Sequence, residues 1–512
     1  MPRSAQPLGL AMLIRQRRST IPALCALVTI IVFALVYELN GGAAFPTDDA
    51  FINLHNAQVL RLGHDESYLG VPALVGATSG LHLALLFALE RWVHPDTAAL
   101  FVLGASAAIA YVLGVFFVCV NAGCSRLECA LIAVGGLVVA GSLFQFLNGM
   151  DTGLAMAAVA WTIKLLTDKR RTLWLPMLCG LMPFIRPELS FLSVGAMLIL
   201  FLDANCSLRF KLAAAALAVL SAVPFLLWYW IDTGLLVPNT VGAKMYYFAE
   251  RYADWSGKFR VVLTAMALAA LACFPLFLCL RFLRPRAVAG LLALFALAFV
   301  GSYLVNFPGG LLHNGGRYLY VFAPIVLFGV ACGLSSASRK QTIRLAAISA
   351  LFLPLMFGAQ LSDYRSRISG DQQSLADVVN WINRNLPDRP TVMVHDAGYI
   401  SYAAQVPLVD LVGLKTPAAI DFHRRLTYPS AGRLRSEAIA DIATVFKPQY
   451  LVVLQDWNDK FDIVDGLRGN GFTVQEVYAG RAPAGTSAAD IYHLYRLTLP
   501  ATDRAGATLS SN

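Results

Sequence analysis

Apolar runs of about twenty residues recur from residue 21 to residue 361, and they fix the solvent before any motif is read. A helix rises about 1.5 Å per residue, so a run of that length matches the ~30 Å hydrocarbon core of a bilayer. Composition agrees: 57% of the residues are hydrophobic and 14% are charged, against about 25% charged in an ordinary soluble domain. The chain reads as a polytopic α-helical membrane bundle. Its formal net charge of +9 is spread through short loops, as in the cytoplasmic loops of membrane proteins. No basic stripe with interleaved aromatics is present, which argues against nucleic acid as a partner.

The loops supply a topology. Arg3, Arg15, Arg17 and Arg18 precede the first run, residues 21–37. That run is long for a signal sequence, so it reads as a retained span entered from the cytoplasm. Basic clusters at 168–171, 209–211, 281–286 and 339–344 are separated by pairs of apolar segments: 172–185 and 189–202, 212–231 and 259–280, 287–306 and 318–334. All four clusters can therefore be cytoplasmic, and the last segment, 345–361, exits to the far side. Between Asp49 and Asn148 lie three apolar segments (73–92, 98–120 and 129–147), where the phase requires an even number. One of them must be irregular, and 73–92, with Gly, Pro and His in or beside its leading half, is the candidate. About eleven spans result, with the N-terminus inside and the C-terminus outside.

After residue 362 the composition shifts. Helical patterns at 374–386, 435–446 and 462–470 alternate with β-rich runs at 391–395, 407–411, 450–454 and 492–497. This predicts a C-terminal soluble α/β domain over 363–500, after a membrane domain of 1–362 with an outer loop at 40–72. Residues 501–512 are small and polar and read as a disordered tail. All nine cysteines lie between Cys25 and Cys332, without metal-ligand spacing, so the soluble domain is expected to fold without disulfides.

Chemistry is sought where charge meets lipid. Asp48 and Asp49 sit just past the first run, in the string Phe45-Pro46-Thr47-Asp48-Asp49. That string also reads as a plain helix start, with a capping threonine and acids in the first turn. On the loop phase above, His55, Asp151, Arg186, Glu188, Asn239, Lys244, His313, Asn314 and Arg317 face outward as well. Each alone has a structural explanation. Together, acids and bases on one face of a bundle make a polar site at the water–lipid boundary. In the C-terminal part, Asp396-Ala397-Gly398 follows a predicted strand and Asp410 ends another; turn formation is the commoner role for such aspartates.

The motifs in order are Asp48-Asp49-Ala50-Phe51-Ile52, Gly149-Met150-Asp151-Thr152, Arg186-Pro187-Glu188, Pro238-Asn239-Thr240 with Lys244, Gly316-Arg317-Tyr318, Asp396-Ala397-Gly398 and Asp410-Leu411-Val412-Gly413-Leu414. This series resembles the GT-C class of integral-membrane glycosyltransferases, and within it the terminal arabinofuranosyltransferase branch. The resemblance runs from about residue 21 to about residue 416. It implies transfer of a sugar, a pentofuranose such as arabinose, from a polyprenyl-phosphate donor to an acceptor on the outer face of the bacterial plasma membrane, with inversion. The acceptor would be a polysaccharide, a glycolipid or a protein. One of Asp48 and Asp49 would be the general base and the other would position it or bind acceptor. Lys244, His313 and Arg317 would bind the donor phosphate, while His55, Asp151, Arg186, Glu188, Asn239 and Asp396 would order the site or bind acceptor. A divalent metal ion is left open by the paired acids. The chain departs from the family at His55, where an arginine is usual, and at Val75-Gly76-Ala77-Thr78, where an acidic, aromatic stretch is usual.

Two other readings compete. A transporter or flippase for a polyprenyl-linked sugar would show inverted repeats and mid-bilayer charges; no internal repeat is seen, and the polar residues gather at one face. A non-catalytic assembly factor for an envelope or motility structure would use the soluble domain to hold a partner.

Overall fold

The computed structural model describes residues 8–335, 338–369, 371–481 and 487–500. The tail expected at 501–512 lies outside the described residues. Seven described helices are long and apolar enough to cross a bilayer: Thr20–Leu39, Asp96–Ala122, Leu208–Thr233, Trp255–Ala272, Arg286–Asn306, Pro308–Leu334 and Lys340–Asn385. A bent pair, Arg126–Gly135 with Val139–Leu147, makes an eighth if its 49° break is a kink within one span. The sequence predicts about eleven. The difference lies in four shorter apolar helices, Gly80–Leu89, Thr152–Thr167, Trp174–Ile185 and Pro187–Leu202. Breaks at Asp151 and Arg186 bound three of these helices, which are shorter than the seven long ones. Segment 73–92 contributes only the ten-residue helix Gly80–Leu89, which at 1.5 Å per residue covers about half the hydrocarbon thickness. The chain is a multi-pass membrane protein.

The helices alternate between two ends. At one end, Arg171 pairs with Asp203 at 3.0 Å, and Asn121 bonds the Lys164 carbonyl and Asp168. At the other end, Thr47 donates to the Asn148 carbonyl at 2.9 Å and Asn53 to that of Gly149 at 3.4 Å. The first basic cluster, at 168–171, thus packs against Asn121 and Asp203, and the outer-loop residues Thr47 and Asn53 against the turn at Asn148–Gly149.

The C-terminal part forms a five-stranded sheet in the order β2-β1-β3-β5-β4. The strands are β1 Val392–Val394, β2 Leu408–Asp410, β3 Tyr450–Leu454, β4 Thr473–Ala479 and β5 Tyr492–Thr498. β1 runs parallel to β2 and β3, and β5 antiparallel to β3 and β4. Alternate side chains point to opposite faces. Met393, Val409, Leu451 and Val453 pack on Ile439, Ile442 and Leu467. Val392, Val394, Leu408 and Val452 pack on Leu375, Val378 and Ile382. β4 was not expected from the sequence: it is a mostly exposed edge strand, so it has no apolar run to betray it. The nine cysteines are all free thiols.

Several sets of contacts join the sheet domain to the outer loop, among them the bonds of Ser67 to the Leu408 amide and the Ser401 carbonyl. Lys415, after β2, reaches in from the sheet domain. Its Nζ lies 3.1 Å from Asp65 Oδ2 and 2.8 Å from Asn56 Oδ1, with both Lys415 and Asp65 fully buried. Asp65 also bonds His55 Nε2 at 3.0 Å and the amides of Ser67 and Tyr68. Burial works against its charge, but His55 and Lys415 outweigh it and hold its pKa down to about 2. Another set is made by Asp48 and Phe51, described below.

Lys415→Met leaves Asp65 buried without its cation, so we expect the chain to lose roughly 3–5 kcal/mol of stability, read from thermal unfolding in detergent. Because the folded pKa of Asp65 lies below its unfolded value of about 3.9, its contribution is present above about pH 4 and is lost as pH falls toward about 2. An acid titration of unfolding should show that loss, and Asp65→Asn should flatten it.

Candidate functional site

The helix Asp48–Leu62 begins as the sequence predicts, with Thr47 at the N-cap position, but the threonine side chain does not cap it. Its hydroxyl goes to the Asn148 carbonyl instead. Adjacent residues on a helix point about 100° apart, and the two carboxylates meet different partners. Asp48 turns toward the sheet domain, where the amides of Gly398 and Tyr399 each donate to one of its oxygens at 2.7 Å. Asp49 turns toward the bundle, where Arg317 Nη2 stands 2.8 Å and Lys244 Nζ 3.9 Å from its Oδ2. Burial raises the pKa of Asp48, with Asp396 adding to the effect and the two amides opposing it. Burial also opposes ionisation of Asp49, but Lys244, Arg317 and His313 outweigh it and hold that carboxyl well below the usual carboxylate range.

Arg317 reaches this position through an unusual turn. Asn314, Gly315 and Gly316 all have left-handed backbone, with φ of 48°, 68° and 73°. Such a run is tolerable only where glycine supplies most of it. It aims the guanidinium inward, where it is 4% exposed. Arg317 Nη2 also bonds the Tyr318 hydroxyl at 3.2 Å. Its Nε and Nη1 are buried with no hydrogen-bond acceptor among the described residues. Buried donors of this kind are costly unless something else takes them.

Behind Arg317 stands a second buried guanidinium. Both lie over the Tyr318 ring, whose centroid is 4.4 Å from the Arg186 Cζ and 5.0 Å from that of Arg317. Arg186 pairs with Glu188 at 3.3 Å and with Asp151 at 4.0 Å, and Tyr303 donates its hydroxyl to Glu188. Asn239 opens the helix that carries Lys244. It accepts the Gly76 amide at 3.1 Å and donates to the Leu414 carbonyl at 2.9 Å, tying the outer loop to the loop after β2.

These parts surround a cavity of about 210 Å³. One wall holds Asp48, Asp49, Lys244, His313 and Arg367; the other holds His395, Asp396, Trp457 and Tyr492. The second wall follows from the sheet: His395 and Asp396 leave the carboxyl end of β1, Trp457 follows β3, and Tyr492 opens the antiparallel β5 at the same edge. The carboxyl edge of parallel strands is the usual ligand edge of an α/β sheet. His395 Nε2 stands 2.9 Å from Asp396 Oδ2, and Tyr492 donates its hydroxyl to the same oxygen. Burial works against the charge on Asp396, but His395 and Tyr492 outweigh it and lower its pKa. A small side chamber of about 20 Å³, lined by Asp49, Asp151, Lys244 and Thr240, adjoins the cavity.

The structure thus brings Asp48, Asp49, Lys244, His313, Arg317 and Asp396 together, with Asp151 in the adjoining chamber. Arg186 and Glu188 stand one layer behind. His55 lines neither space and belongs to the buried Asp65–Lys415 cluster, while Asn239 sits at the seam between the domains. Asp410 forms the turn, accepting the amides of Val412 and Lys415 at 2.8 Å each. Sequence reasoning missed His395, Trp457 and Tyr492. The carboxyl ends of the predicted strands were the available signal for His395 and Trp457; Tyr492 gave none, because the antiparallel direction of β5 is not written in its residues. Among the described residues no three His, Cys, Asp or Glu side chains converge as a metal ion would require.

Comparison with curated protein sequences gives no match. A family described as a domain of unknown function, DUF8728, matches residues 362–497. Among solved structures, ArnT from Cupriavidus metallidurans bound to undecaprenyl phosphate superposes with a TM-score of 0.57 at 12% identity, over 94% of this chain and 99% of that one. Its apo form gives 0.52 at 14% identity, over 92% and 97%. The arabinofuranosyltransferase AftD from Mycobacteria gives 0.47 at 16% identity, over 95% of this chain but only 40% of its own length.

Asn239→Leu would strand the Gly76 amide and the Leu414 carbonyl in a buried seam. At about 1–3 kcal/mol for each unsatisfied group, we expect a clear fall in the unfolding midpoint of detergent-solubilised protein, with Asn239→Gln falling between mutant and wild type. The two ArnT superpositions, each spanning more than nine tenths of the chain, give the chain the fold of the GT-C glycosyltransferases.

Proposed function

We propose that this chain is a membrane glycosyltransferase that moves a sugar from a polyprenyl-phosphate donor to an extracytoplasmic acceptor, with inversion at the anomeric carbon. The observation that carries this reading is the buried Arg317, which meets the ionised Asp49 with one nitrogen and holds two further donors without acceptors. Lys244 and His313 line the cavity beside Asp49, and with Arg317 behind that carboxylate they offer charge-assisted hydrogen bonds to a phosphate. By analogy of fold, the ArnT structure with undecaprenyl phosphate bound gives the same class of donor. The order of sequence motifs supports a pentofuranose as the sugar.

In this reading Asp49 is the base. In the resting site it is tied to two cations, which makes it a poor one. A donor phosphate shares Arg317 and Lys244, and the proton affinity of Asp49 rises accordingly. The acceptor hydroxyl oxygen attacks the anomeric carbon from the face away from the phosphate. The bond from that carbon to the phosphate oxygen breaks, the hydroxyl proton passes to Asp49, and the leaving phosphate keeps the electron pair against Arg317, Lys244 and His313. Asp396, His395 and Trp457 form the acceptor wall, offering a carboxylate and an aromatic ring to a polyol. Adding the bent pair and the helices Thr152–Thr167, Trp174–Ile185 and Pro187–Leu202 to the seven long helices makes eleven crossings. The Gly80–Leu89 helix then re-enters at the outer face, and the sheet domain lies outside the plasma membrane.

The test is release of polyprenyl phosphate from polyprenyl-phosphate sugars on adding acceptor to purified protein. Asp49→Asn should slow release about 10²–10⁴-fold, and Lys244→Ala and Arg317→Ala should each raise the donor KM. Absence of turnover with every pentose and hexose donor, or a normal rate in Asp49→Asn, would sink the proposal.

A further inference from the structure

Asp48 stands beside the proposed base, and its partners give it a different task. Both of its oxygens are already engaged by backbone amides, those of Gly398 and Tyr399, each at 2.7 Å. Taking up a proton would weaken both bonds at once. The same joint has an apolar half: the Phe51 ring meets Tyr399 edge-on at 4.9 Å and Tyr402 at 5.7 Å between centroids. The fit is close enough that a Cβ on Gly398 would overlap the Asp48 carbonyl oxygen and come within 2.5 Å of Oδ2. Glycine is therefore required at this position by the approach of another backbone. Since Asp48 and Asp49 are consecutive in the first turn of one helix, whatever fixes the Asp48 backbone also fixes where the Asp49 carboxylate stands relative to Arg317.

We infer that Asp48 is a positioning residue. It latches the first turn of the Asp48–Leu62 helix to the loop after β1, so that docking of the sheet domain sets the catalytic register of Asp49. The assignment of Asp49 as base rests on the transferase reading; the latch itself does not. The sheet domain then does more than present acceptor. It completes the active site mechanically, because the turn Asp396-Ala397-Gly398-Tyr399 carries both the acceptor-side carboxylate and the two amides that hold the helix. A shift of that turn moves the acceptor wall and the base together.

Amide hydrogen exchange on the full-length protein in detergent tests the latch without reference to activity. Asp48→Asn should speed exchange at Gly398 and Tyr399 about tenfold or more, and Asp48→Glu should restore part of the protection. In the release assay, Asp48→Asn and Gly398→Ala should each lower kcat with donor KM little changed. The double variant should be no worse than the poorer single one, since both open the same joint, and the acid limb of the pH–rate profile should stay where it is in wild type. Unchanged protection at Gly398 and Tyr399 in Asp48→Asn overturns the latch, whether or not the chain turns over any donor. Loss of the acid limb in Asp48→Asn, with Gly398→Ala behaving as wild type, would make Asp48 a proton acceptor and overturn the positioning role. A chain with normal exchange changes but no transferase activity would refute the enzyme reading and leave the joint standing.

Discussion

A carboxylate buried at the end of a lipid-embedded bundle must be met by cations or by a set of amides, and the two adjacent aspartates take one solution each. Asp49 is met by Arg317 and Lys244, and Asp48 by the amides of Gly398 and Tyr399. This division follows from helix geometry, since consecutive side chains diverge by about 100° and cannot share a partner set. It organises the surroundings. The left-handed turn at Asn314–Gly316 exists to bring Arg317 inward, and the sheet domain can dock only where its amides reach Asp48.

The two domains also share buried charge away from the cavity. The Lys415 ammonium takes its close partners from the outer loop, Asp65 and Asn56. Breaking such a pair leaves an uncompensated buried ion, which is far more costly than the net worth of the intact pair. The consequence is a seam that resists opening. Together with the Asn239 bonds to Gly76 and Leu414, it makes a cavity with walls from both domains a fixed feature of the molecule.

Much of this organisation could be read from the chain because lipid punishes stray charge. The recurrent runs gave the membrane class, the basic clusters gave the loop phase, and the phase sorted Asp48, Asp49, Lys244, His313 and Arg317 to one end, where the structure places them. What could not be read depends on contacts distant in sequence. Lys415 lies 350 residues beyond Asp65, counted from their numbers, and nothing local in either segment announces the other. His55 lies in the string Asn53-Leu54-His55-Asn56, which suits a ligand and a structural partner equally; its bond to Asp65 assigns it to the seam. The helices around Asp151 and Arg186 are shorter than the seven long ones, and hydropathy does not register the backbone breaks at those two residues.

Charge balance around Tyr318 connects the static arrangement to its chemistry. Arg186, Arg317 and Lys244 stand against Asp49, Asp151 and Glu188 in one linked set of contacts, so the resting site is close to neutral. The Tyr318 ring, over which both guanidiniums lie, offers cation–π attraction to two like charges buried in the same region. A phosphate brought into such a site adds negative charge that only two routes can absorb. Either the cations lean toward it and release Asp49, or Asp49 accepts a proton. In the proposed transferase both routes lead to the same outcome at the same atom: Asp49, held low by its cations in the empty site, would gain proton affinity when a donor phosphate binds, and its basicity would be confined to that complex.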